Sequence, residues 1–304
     1  MRRRHFLATC TGAALAAPYV AAQDSQRPSE GGIGGTGIVG LLTDFSSLVV
    51  GGLRVETDRG TRFVNAYGRA REGDIGIGTA LTVEAIGRGG VPVARRVEIS
   101  YPLVGEVAAD GTVNGIRITA EPGALGRLAP GDTVAISGVW RNDGVVASRF
   151  DPIRGITRAV IAGEILPTES GWRIGTTPVL LPQSARPIPG GYETLLGQPT
   201  PEGFQVDQRR IGRFDRRAQL DQLAIEGFLR QVPAAPGYRI AGLGHSFDDG
   251  AQLAPFAGER TLFTGPYGPE FNVANGLILP QALATRRRVM ADAVSGGANF
   301  RPAR

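Results

Sequence analysis

The sequence contains no lysine: all 33 of its Lys/Arg residues are arginine. Lysine Schiff-base chemistry is thereby excluded. Cysteine occurs once, at Cys10, within the first 22 residues. The chain beyond them has no disulfide, no thiolate nucleophile and no sulfur ligand for a metal. His245 is the one histidine after residue 22. A metal site would therefore need carboxylates for nearly all its ligands, which argues against zinc or copper. A serine triad would have to run through His245, whose neighbour Ser246 is badly placed for it, and no Gly-x-Ser-x-Gly elbow exists. His245 is expected to be a structural residue at a strand end. Past residue 22 no apolar run is long enough to span a bilayer. No metal, no cofactor and no transmembrane segment after removal of the leader are expected.

What the chain has in quantity is glycine, 45 residues, with 21 prolines. That suits many turns and short strands better than long helices. Residues 1–22 show the three parts of a secretory signal. Arg2 to Arg4 make a basic start, an Ala/Leu/Gly-rich stretch follows, and Val20-Ala21-Ala22 offers a cleavage point after Ala22. The run Arg3-Arg4-His5-Phe6-Leu7 resembles the twin-arginine pattern, which implies export of an already folded protein. The expected location is periplasmic or secreted. Removing the leader leaves 30 arginines against 28 carboxylates. That balance is too even for a sequence-independent grip on a phosphate backbone, so no specific nucleic-acid partner is expected. Arg286-Arg287-Arg288, the basic cluster singled out, is expected to be a solvated tail.

One pattern recurs four times: an apolar residue, any residue, glycine, any residue, an apolar residue. Its glycines are Gly40, Gly105, Gly163 and Gly227. Period-two alternation puts each glycine on the same strand face as its apolar flanks, where glycine marks a bend or close backbone approach. Hairpin signals follow at Val50-Gly51-Gly52-Leu53 and Val113-Asn114-Gly115-Ile116, and more loosely at Ile174-Gly175-Thr176 and Ile240-Ala241-Gly242-Leu243. Each unit closes on a final strand, as in Val93-Ala94-Arg95-Arg96-Val97 and Val146-Ala147-Ser148-Arg149-Phe150. Gly35-Thr36-Gly37-Ile38-Val39-Gly40 matches a dinucleotide-binding fingerprint. It lacks the strand-to-helix turn that the fingerprint needs, and reads as linker and first strand.

The Gly32–Gly37 lead, the glycine-centred first strand, the Val-Asn-Gly-Ile hairpin, the Pro130–Val134 strand and the Val-Ala-Ser-Arg ending resemble the bacterial domain of unknown function 5666 family. The resemblance covers residues 32–155 and extends more loosely over 156–280. It implies a small, five-strand, barrel-like unit similar to an OB-fold, and no activity.

The expected fold is all-β, with tandem small OB-like five-stranded barrel repeats. The expected division is a signal peptide over 1–22, a flexible linker over 23–36, repeats over 37–101 and 102–155, irregular repeats over 156–214 and 215–285, and a basic tail over 286–304. Glu193 and Arg260 stand where apolar strand residues are expected in the irregular repeats. Arg96, Arg149 and Arg209 occupy matching places in three final strands, out of phase with the apolar residues. They are expected to face outward as a row able to bind the carboxylates of an envelope protein or acidic glycan. The functional expectation is an exported, non-catalytic binding or scaffold protein of the cell envelope. The alternative is a periplasmic polysaccharide hydrolase working with a carboxylate pair.

Overall fold

Short apolar alternations separated by glycine turns fold a little over half of the chain into strand, with about 5% helix, and the protein is all-β. The computed structural model describes residues 35–45, 48–87, 91–248 and 250–295. The expected export signal, with Arg3, Arg4, Phe6, Leu7 and the expected cleavage point after Ala22, lies outside the described residues.

The first barrel comprises β1 (Gly35–Asp44), the hairpin β2 (Leu48–Val50) and β3 (Leu53–Val55), the short β4 (Arg62–Asn65) and β5 (Gly68–Arg69), then β6 (Ala80–Ile86) and β7 (Val93–Ile99). β1 pairs antiparallel with β2 and with β6, and β6 pairs with β7. β7 runs parallel to β4, and Glu56 just after β3 bridges Val93 in parallel, which closes the barrel. β1 begins at Gly35, inside the expected linker.

The same order of pairing recurs. In the second barrel, β8 (Leu103–Glu106) is followed by β9 (Thr112–Val113), β10 (Ile116–Leu125), β11 (Thr133–Arg141) and β12 (Gly144–Pro152). β11 pairs with both β8 and β12, and β12 lies parallel to β10. The third holds β13 (Ala159–Thr168), β14 (Gly171–Ile174), β15 (Thr177–Leu180), β16 (Tyr192–Thr200) and β17 (Gly203–Ile211), with β15 parallel to β17. It is as regular as the second, contrary to expectation. The fourth is the irregular one. β18 (Leu220–Gln231) pairs with β19 (Tyr238–Ile240) and β20 (Arg260–Pro266), and β20 pairs with β21 (Asn275–Ile278). Its third strand shrinks to a parallel bridge between Phe247 and Phe271.

The barrels are fused through their first strands. β1 runs parallel to β18, and β8 pairs antiparallel with β13. β1 is consequently buried on both faces: Ile38 and Leu42 enter the first core, while Val39 enters the fourth. The second and third barrels share one core, in which Leu103, Ile136 and Trp140 meet Ile161, Ile174 and Phe204. Units of this size bury too little apolar surface to be secure alone, and shared cores supply what each lacks.

The four repeat glycines occupy one place. A Cβ at Gly40 would come within 3.0 Å of the Gly51 backbone, at Gly105 within 2.5 Å of Asn114, at Gly163 within 2.9 Å of Ile174 and at Gly227 within 2.4 Å of Ile240. In every case the contact is the following hairpin, laid across the first strand. Gly51, Gly52, Asn114 and Gly115 all have positive φ, as a two-residue turn of this kind needs.

Glu193 and Arg260 are buried despite their charge. Each is answered by an ion pair, Glu193 by Arg209 and Arg260 by Glu121 and Glu226. The expected basic tail begins instead as helix α1 (Leu283–Ser295). Arg286 is wholly buried and bonded to Glu121, and Arg287 donates to the Thr43 carbonyl at 2.8 Å. These contacts draw α1 onto the barrels and leave Arg286 no solvent.

Candidate anion-binding groove

β7 of the first barrel and β17 of the third carry arginines to one place, and the segment joining β17 to β18 completes it. Arg96, Arg209, Arg210, Arg213, Phe214, Asp215, Arg216 and Arg217 line an open groove of about 530 Å³. Successive residues of a strand point to opposite sides. Arg209 therefore turns to Glu193 on β16, bonding both carboxylate oxygens, while Arg210 reaches across to Glu98 of the first barrel. Glu98 also takes Arg96, which donates a second bond to Glu84 at 3.0 Å. Glu84 in turn accepts the Asp215 N–H at 2.6 Å, tethering the connecting segment. The Glu193 bond holds the Arg209 guanidinium above the usual arginine range.

Arg213 differs from these. It is buried, its guanidinium lies 3.7 Å from the Tyr192 ring centroid, and it donates to the Thr82 hydroxyl at 3.3 Å. Among the described residues it has no carboxylate within ion-pairing distance, and Nε of both Arg213 and Arg210 is buried without a hydrogen-bond partner. Burial pushes the Arg213 pKa below the usual arginine range. Arg216 and Arg217 are exposed and have no ion-pair partner among the described residues. Six arginines thus meet four carboxylates here, Glu84, Glu98, Glu193 and Asp215, leaving a surplus of two positive charges.

The expected row of Arg96, Arg149 and Arg209 is not a row of free, outward guanidinium groups. Arg96 is buried in its pairs with Glu84 and Glu98. Arg149 is bound through Nε to both oxygens of Asp151, at 2.7 and 2.9 Å. Arg209 is held by Glu193. The structure brings Arg96 and Arg209 into one groove and leaves Arg149 elsewhere, against Gly76 of the first barrel. The outer faces of the strands carrying Arg96 and Arg149 meet another barrel, while Arg209 is paired within its own, so the side away from the core is not a face of free guanidinium groups. Arg210, Arg213, Arg216 and Arg217 were missed as a group. Their signal was present in the sequence: five arginines and one aspartate stand among the nine residues 209–217.

His245 lies close to the groove wall, its ring centroid 6.3 Å from Phe214 and 5.6 Å from Tyr267. Burial, reinforced by the Arg213 charge, pushes its pKa down to about 3, and its Nε2 has no partner. Among the described residues no group of three or more His, Cys, Asp and Glu is arranged to hold a metal ion. A neutral buried histidine penalises folding in acid, because the unfolded chain takes up a proton below its ordinary pKa near 6.5 that the folded chain refuses. The contribution is complete above about pH 6.5 and is lost progressively toward pH 3. Between pH 6.5 and 4.5 this site should remove about 2 kcal/mol of stability. Urea unfolding of wild type and His245→Gln at the two pH values checks this. The variant should lose correspondingly less, and an equal loss in both would contradict a neutral His245.

Residues 36–98 match the family model of a domain of unknown function (DUF5666). The matched segment is the first barrel, including Arg96 but not the 209–217 segment. No curated protein matches the chain, and no solved structure matches it.

Proposed function

We propose that the protein is an exported, non-catalytic binding or scaffold component of the cell envelope, acting in the periplasm or outside the cell, which holds an anionic partner in its arginine groove. The observation that carries this reading is the surplus of guanidinium charge in an open groove, with Arg216 and Arg217 exposed and without ion-pair partners among the described residues. Arginine presents a planar fork of donors suited to carboxylate, sulfate and phosphate oxygens. The hydrolase alternative needs two carboxyl groups within roughly 10 Å across a cleft. Three open cavities, of about 530, 440 and 310 Å³, are each lined by one carboxylate among the described residues: Asp215, Asp248 and Asp143. A scaffold role fits the shared core of the second and third barrels and the paired first strands, which join the units to one another.

The test is made in a bacterium with a working twin-arginine pathway. Full-length wild type and the charge-reversed Arg216→Glu/Arg217→Glu variant are expressed, fractionated and used for capture from envelope extracts. Both should reach the periplasm or medium, and wild type alone should retain an anionic component, released by salt. Retention by both variants alike, or release of reducing ends from acidic polysaccharide by the purified protein, would overturn the reading.

A further inference from the structure

We propose that the groove recognises a sugar ring bearing an oxyanion, as in an acidic polysaccharide, with Arg216 and Arg217 on the anion, the charge of Arg213 behind them and Phe214 on the ring. This rests on the binding reading above and narrows it to one ligand class.

Two independent observations point there. The first is the charge of Arg213, which lacks a direct carboxylate partner among the described residues and is offset only by Tyr192 and, at longer range, by Glu98. A buried guanidinium without a carboxylate is costly, and buried charges are ordinarily paired. Glu98, bonded directly to Arg96 and Arg210, acts on Arg213 only at longer range. The Nε atoms of Arg210 and Arg213 are buried without partners, so these two residues act on a ligand through their charge. An oxyanion entering from the side of Arg216 and Arg217 meets this unmet demand. The second observation is Phe214, which sits between Arg213 and Asp215 in the same wall and is half-buried. Its ring is braced from behind: a Cβ on Gly37 would lie 2.8 Å from its Cζ, and Tyr267 packs edge-on at 6.2 Å. A rigid apolar ring beside arginine forks adds little to the capture of a bare anion. It suits a ligand with an apolar face, such as the C–H face of a pyranose. The volume of about 530 Å³ falls within the usual range for small-molecule sites. A nucleic-acid backbone would need a longer basic track.

The oxyanion could be a uronate carboxylate or a sulfate or phosphate ester, and the probes separate these. Isothermal titration uses the mature chain with trigalacturonate, a sulfated disaccharide, neutral galactotriose and polyglutamate. One of the two acidic sugars should bind and the neutral one should not. Arg216→Ala/Arg217→Ala should melt as wild type does, because both side chains are exposed, and should bind at least about tenfold more weakly. Phe214→Leu, accepted only if its melting temperature holds, should weaken the acidic sugar while leaving inorganic sulfate unaffected. Conversion of Phe214 to Tyr keeps a ring and should bind like wild type.

Equal binding by the double arginine variant would remove the groove as the site. Binding of polyglutamate with neither acidic sugar would overturn the sugar assignment in favour of an acidic peptide. If neither acidic sugar binds while envelope capture still depends on Arg216 and Arg217, the sugar inference fails and the binding reading stands. If capture is independent of both residues, the two fall together.

Discussion

Changing Glu226 to Gln should destabilise the protein by about 3–5 kcal/mol, the cost of removing one partner from a buried ion pair. Thermal unfolding should then shift down by about 10 °C at a typical 2–4 °C per kcal/mol. Four charges meet where the barrels join. Arg260 of β20 donates to Glu226 at 2.7 Å and to Glu121 of β10. Arg286 of α1 donates to Glu121 at 2.6 Å and has Nε 3.5 Å from Glu226. All four side chains are essentially excluded from solvent. Burial alone would raise the Glu226 pKa, but Arg260 and Arg286 outweigh it and hold the carboxyl below its ordinary value. Its contribution is therefore present above an ordinary glutamate pKa and is lost as pH falls through the depressed one. Glu226 also accepts the Leu41 N–H of the first barrel at 2.9 Å. The amide of the variant can still bond, but two guanidinium groups then share one carboxylate. Adding Arg286→Met should recover part of the loss, since it restores charge balance. A single variant that melts within about 1 °C of wild type would mean that the cluster is not the closed, charged unit described.

The second large effect lies in the repeat glycines. Valine at Gly163 or Gly227 should cost at least about 1–3 kcal/mol, the usual penalty of overpacking a filled site. At Gly227 even the first added carbon falls 2.4 Å from Ile240, and at Gly163 it falls 2.9 Å from Ile174 and 3.0 Å from Trp140. These neighbours are themselves buried, so they have nowhere to retreat. Alanine at Gly73, where nothing lies within 4 Å and φ is unrestricted, supplies the control and should stay within about 0.5 kcal/mol. Urea midpoints for the three variants decide the matter. A tolerated valine at both repeat positions would show that the hairpins do not press on the first strands.

The glycines and hairpins were legible because they obey local rules. A period of two and an Asn-Gly or Gly-Gly turn are complete within a few residues, and Gly40 and Gly105 show the pattern without reference to anything distant. The charged residues were not, because their meaning depends on what crosses over them. Arg286 reads as tail, yet its partner Glu121 is 165 residues away in sequence. Arg96 reads as outward, and it does point away from its own core, but the third barrel and the 211–217 segment close over that side. Alternation separates a barrel's interior from its exterior; it carries no information about whether the exterior meets water or protein. The 209–217 arginines show the reverse. Their density was visible, while their role depended on Glu98 and Glu193 absorbing some of them and leaving others unmatched.

The parallel seam between the first and last barrels has a consequence for how the chain can be made. Leu41 and Glu226 bond across 185 residues of sequence. Contacts of such separation are slow to form, since the intervening loop must close before any contact rewards it. During synthesis β1 has its own barrel partners early, but its second edge stays open until β18 emerges from the ribosome. An open, apolar strand edge is the feature most prone to join a wrong neighbour. Such a chain is exposed to mispairing along β1 for as long as β18 is missing.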